Sequence, residues 1–99
     1  MRLSKQYVTI IRETVIQRFG PAAKVSLFGS RVNEGARGGD IDLLVELVNV
    51  PTHPFRETIG LETDLQLALG DQKIDILLRY PGSEETPIYR IAKQTAVKL

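Results

Sequence analysis

The chain has 99 residues, 42% of them hydrophobic and 25% charged, a composition that fits one globular domain spanning residues 1–99 and leaves no room for a second core. Thirteen Lys and Arg against twelve Asp and Glu give a formal charge of +1, which excludes an extended nucleic-acid surface but not a local basic patch. No cysteine is present, so disulfide frameworks and thiolate metal sites are excluded, and Arg2, Lys5 and Arg12 break up the N-terminal apolar pattern, leaving neither a signal peptide nor a membrane span and making the cytoplasm the expected location.

The elements alternate along the chain. Residues 3–19 read as a helix, because Leu3, Tyr7, Ile11 and Val15 recur every four positions and Val8 and Phe19 widen the stripe. Gly20-Pro21 stops it. Lys24 to Phe28 is a short strand, and residues 29–39 form a glycine-rich connection with a helical turn expected near Arg31–Glu34. Asp40 to Leu47 is the second strand. Ile41, Leu43, Val45 and Leu47 share one face, while Asp40, Asp42, Leu44 and Glu46 share the other. After a loop at 49–54, residues 55–69 read as a helix burying Leu61, Leu65, Ala68 and Leu69. Gly70-Asp71 ends it, and Lys73 to Leu78 is the third strand. Residues 80–86 are a polar loop. Thr86-Pro87 opens a last helix expected to run to the C-terminus, with Ile88, Ile91, Ala92 and Thr95 on one face. The order α-β-(turn)-β-α-β-α predicts an α+β fold, a small mixed sheet with helices packed on one face. A domain this small buries a modest fraction of its surface, so a homo- or hetero-oligomer is expected.

The chemistry lies in the acidic residues. Asp40 and Asp42 are two apart in a strand, so both side chains leave the same face with Cα atoms roughly 6.5–7 Å apart. Asp75 sits between Ile74 and Ile76 in the third strand, opposite its apolar face. If the two strands are neighbours, three carboxylates converge. Like charges so placed oppose folding unless protons or cations relieve them. An all-oxygen donor set selects Mg²⁺, with Mn²⁺ as a substitute, and two such ions about 4 Å apart suit in-line phosphoryl transfer.

Gly29-Ser30 follows the first strand directly. A glycine there lets backbone approach a phosphate, and the Ser30 hydroxyl and neighbouring N–H groups are donors for it. Arg31 and Arg37 are candidates to neutralise phosphate charge.

Together, Gly29-Ser30, the Asp40-x-Asp42 pair about ten residues on and the later Asp75 resemble the signature of the DNA polymerase beta-like nucleotidyltransferase superfamily. The stretch LFGSRVNEGARGGDIDLLVEL is most similar to its smallest members, the minimal nucleotidyltransferases found beside HEPN-domain proteins in prokaryotic toxin–antitoxin pairs. The resemblance covers nearly the whole chain. It implies a polymerase beta palm-like fold and transfer of a nucleoside monophosphate, AMP from ATP, to a hydroxyl on a HEPN toxin partner. It implies that Asp40 and Asp42 ligate two metals, that Asp75 ligates one and helps take the acceptor's proton, and that Gly29, Ser30 and Arg31 hold the triphosphate. Gly39 stands where the family often has serine. The alternative reading is a catalytically idle module that neutralises a partner by steric contact.

The remaining candidates read as structural. His53 has no second ligand near it in sequence, Tyr80 and Tyr89 are expected to pack, and Arg79, just after the third strand, is not expected to join the acidic patch.

Overall fold

The computed structural model describes residues 3–32 and 40–99, the Ser30 side chain excepted; Glu34, Arg37 and Gly39 therefore lie outside the described residues. Helix α1 (Lys5–Phe19) starts at Ser4, whose hydroxyl accepts the Tyr7 N–H at 3.1 Å. It stops at Gly20, which takes a positive φ of 92° and donates its N–H to the Ile16 carbonyl at 2.7 Å. Strand β1 (Lys24–Phe28) leads into a single 3-10 turn, Gly29–Val32, two residues earlier than the spacing suggested. Strand β2 (Ile41–Glu46), helix α2 (Pro54–Leu69) and strand β3 (Ile74–Arg79) then form a strand–helix–strand unit.

The crossover through α2 makes β2 and β3 parallel, whereas β1 pairs with β2 antiparallel. Helix α3 (Pro87–Thr95) is capped by Thr86, whose hydroxyl accepts the Tyr89 N–H at 3.3 Å. The expected helix to the C-terminus does not form. Ala96 is extended, and Val97–Lys98 make a short strand, β4, along the free edge of β1, with Leu99 N–H donating to the Val25 carbonyl at 3.1 Å. The result is a mixed sheet ordered β3-β2-β1-β4. Pairing to β1 supplies the last residues with backbone partners and covers an edge that would otherwise be unpaired.

One side of this sheet is aliphatic. Val25, Leu27, Ile41, Leu43, Val45, Ile74 and Leu78 point into it and meet Ile11 and Val15 of α1 and Leu61, Leu65 and Leu69 of α2. Ala68, expected in that face, is exposed instead, since Leu65 and Leu69 fill the stripe. Arg18 ties the two helices together by donating to Asp64 at 2.9 Å and Glu57 at 3.5 Å. Gly60 lies directly under its guanidinium, and a Cβ there would come within 2.6 Å of it.

Helices α1 and α2 follow the one-face layering, but α3 departs from it. Its Ala92 packs with Phe28 and Leu44 on the other side of the sheet, flanked by Leu77, Tyr89 and Ala96. Of the four α3 residues expected to share one face, Ala92 is buried, while Ile88, Ile91 and Thr95 are exposed.

Candidate active site

The side of the sheet under α3 also carries the acidic residues. Strand register places Asp42 opposite Asp75 on the parallel neighbour and opposite Phe28 on the antiparallel one. Asp42 thus stands in the middle strand, between Asp75 on one side and the end of β1 on the other. The alternation that buries Ile74 and sends Ile76 toward the core leaves Asp75 exposed on the same side as Asp42.

These neighbours change Asp42. Its carboxyl is pushed above the ordinary carboxylate range, mainly by partial burial and then by the charges of Asp75 and Asp40. It also lies within hydrogen-bonding reach of Asp75, which two carboxyls satisfy only by sharing a proton; the Lys73 ammonium pulls weakly the other way.

Asp40 is held differently. It precedes β2, and its carboxylate lies 3.5 Å from Lys73 Nζ. Backbone pairing fixes this neighbourhood, since Ile41 N–H donates to the Lys73 carbonyl at 3.0 Å. Among the described residues, no three acidic side chains close into a ready-made ligand cage. The arrangement is a close pair, Asp42 with Asp75, and a third carboxylate turned toward a lysine.

Gly29 completes the wall. It takes a positive φ of 77°, and a Cβ there would strike the Asp42 carboxylate, with Asp42 Cγ only 3.1 Å away. Glycine is required twice here, for its backbone conformation and for the space it leaves above Asp42. Arg31, half-buried in the same 3-10 turn, is carried to this end of the sheet. An open cleft of about 510 Å³ begins at this point, lined by Phe28, Gly29, Val32, Asp42 and the α3 residues Ile88, Ile91 and Thr95. A slightly larger cleft of about 620 Å³ lies between α1 and α2, around Arg18 and Asp64, and includes none of Asp40, Asp42 and Asp75.

The donor set fits a hard divalent cation: carboxylate oxygens from two adjacent strands, one carboxyl already resisting ionisation, and a glycine that keeps side-chain bulk out of the space above them. Asp40, Asp42, Asp75 and Gly29, singled out from spacing, all lie at one end of one sheet face. Arg79 does not join them. Its guanidinium stacks 4.2 Å from the centre of the Tyr89 ring and donates to the Glu84 carbonyl, which pins α3 and the 80–86 loop to β3. Tyr80 packs against the aliphatic core, and His53 sits exposed at the start of α2 with no capping hydrogen bond. Lys73 was missed by sequence reasoning, because only strand register shows which carboxylate it faces.

The mixed sheet presents acidic residues from parallel neighbours beside a glycine turn, an arrangement suited to group transfer. The chain belongs to the nucleotidyltransferase domain family, which it matches over residues 8–99. It is therefore a transferase domain, of a family that generally uses divalent metals. No curated protein matches it in sequence. Among solved structures it is similar to a chain in the crystal structure of the toxin–antitoxin MntA-HpeT, a mutant with two Asp-to-Glu substitutions two positions apart. The TM-score is 0.62 at 18% identity, over 97% of this chain and 71% of that one. At that identity the likeness is one of fold. No helix among the described residues is long and apolar enough to cross a membrane.

Proposed function

We propose that this domain transfers AMP from ATP to a hydroxyl on a partner protein, a tyrosine of a HEPN-domain toxin, and so acts as the antitoxin of the pair. The observation that carries this reading is the in-register placement of Asp42 beside Asp75, with Gly29 against Asp42. The structural likeness to a chain of a toxin–antitoxin complex supports a toxin as the partner.

In this reading Asp40, Asp42 and Asp75 hold two Mg²⁺ ions, or Mn²⁺ in their place. Bound divalent ions neutralise the triphosphate and polarise the phosphoryl group under attack. The protein's own residues do the rest. Gly29, Ser30 and Arg31 position the triphosphate at the end of β1. The acceptor oxygen bonds to the α-phosphorus as the bond to the bridging oxygen breaks and pyrophosphate leaves. Asp75, more exposed than Asp42, takes the acceptor's proton. The cleft under α3 is large enough for a nucleoside and is walled by the apolar side chains of Phe28, Val32, Ile88 and Ile91.

Labelled ATP, Mg²⁺ and the adjacent HEPN protein test the proposal. Label is expected on the partner with the wild-type domain and not with Asp42→Asn. A partner neutralised without label, equally by both proteins, would leave steric contact as the function.

A further inference from the structure

We infer that Lys73 is a built-in counter-ion that holds Asp40 and is given up when a divalent cation binds, so that it sets how tightly the domain takes the bare cation. The inference rests on the metal-site reading above and adds a positioning residue to it.

The placement follows from register. Ile41 pairs with Ile74 and Asp42 with Asp75, so one step back along both strands Asp40 faces Lys73. Lys73, just before β3, falls on the same side as Asp75 two residues on, as Asp40, just before β2, falls with Asp42. The four side chains form a block two strands wide, with an unlike pair at one end and a like pair at the other. The lysine is fixed at its backbone, where its carbonyl accepts the Ile41 N–H, and is loosely held at its tip: Nζ reaches the Asp40 carboxylate at 3.5 Å while the side chain stays 74% exposed.

That geometry serves exchange better than stability. An ion pair this exposed contributes little to folding. A cation arriving at Asp40 and Asp42 must displace the ammonium or bind beside a positive charge. A flexible, strongly hydrated ammonium leaves readily, and once free it lies next to the place where a negatively charged substrate would sit. The lysine thus opposes the cation alone and tolerates a cation that arrives with phosphate.

Mn²⁺ binding to the intact, nucleotide-free domain, read by electron paramagnetic resonance or calorimetry, tests this at low ionic strength. Lys73→Met should bind Mn²⁺ about three-fold to ten-fold more tightly than wild type, the size of removing one charge at several ångströms across water. Lys73→Arg, which keeps the charge, should stay near wild type. Lys24→Met makes the same charge change at the opposite end of β1, across from Glu46, and should leave the affinity unchanged. Equal affinity in wild type and Lys73→Met, or equal tightening by Lys24→Met, would overturn the role of Lys73 while sparing the metal site. No Mn²⁺ binding by wild type would overturn both.

Discussion

The two sides of the sheet are built on opposite terms. Under α1 and α2, every inward position of the three longer strands is aliphatic, and Ile11, Leu43, Leu61 and Leu65 are fully buried. Under α3, the same strands present Asp42, Asp75 and Glu46, and among the described residues the apolar cluster there is Phe28, Leu44 and Ala92 with their neighbours. One side supplies stability by removing apolar surface from water. The other gathers like charges that oppose it. A domain of this size can carry such a site because a single thin core anchors β1, β2 and β3 alike.

The contrast can be broken most forcefully from the aliphatic side. Leu43→Ala should lose about 2–5 kcal/mol, a large part of the stability of a small domain, and thermal melting should show it whether or not Mg²⁺ is present. The acidic side should respond in the reverse sense. Asp42→Asn is expected to reduce transfer at least a hundred-fold, roughly the scale seen when a metal's surroundings are disrupted, while raising the melting temperature of the metal-free domain.

The sign of that rise follows from the raised carboxyl of Asp42. Relative to the unfolded chain, its contribution to stability is present at low pH and is lost as pH climbs through the raised value. The melting-temperature gap between Asp42→Asn and wild type should therefore be widest near neutrality and should vanish below about pH 4, the ordinary carboxylate range. A gap that widens toward acid would show that Asp42 is stabilised as an anion and would undo the contrast. Added Mg²⁺ should raise the melting temperature of wild type and not of Asp42→Asn.

Gly29→Ala tests the border between the two halves and should have the smallest effect on stability. It forces a side chain into a positive φ and against the Asp42 carboxylate, losing about 1–2 kcal/mol. Weaker Mn²⁺ binding beyond that loss would mark Gly29 as part of the site. Unchanged Mn²⁺ binding would make it a turn residue only.

Much of this was legible from spacing. The period-two alternation of β2 and the isoleucines around Asp75 were enough to put the acidic residues on one face and the aliphatic ones on the other. Local signals also placed β1 at its observed bounds and opened α3 at Thr86. What spacing could not supply was non-local. Strand β4 is too short to show a period and exists because β1 offers it an edge. The stripe of Ile88, Ile91, Ala92 and Thr95 was read correctly as a stripe, yet periodicity does not say what covers it; only Ala92 reaches the sheet, and the others border the cleft. Lys73 gained its meaning only when register set it across from Asp40.

The parallel pairing of β2 with β3 ties catalytic alignment to folding fidelity. Side chains alternate along β3, so a slip of a single residue would plunge Asp75 into the greasy layer and turn Ile74 out to water. The burial that stabilises the domain therefore also proofreads the distance between its acidic groups. Substitutions that merely loosen the hydrocarbon layer, far from any carboxylate, should blur that distance before they melt the protein.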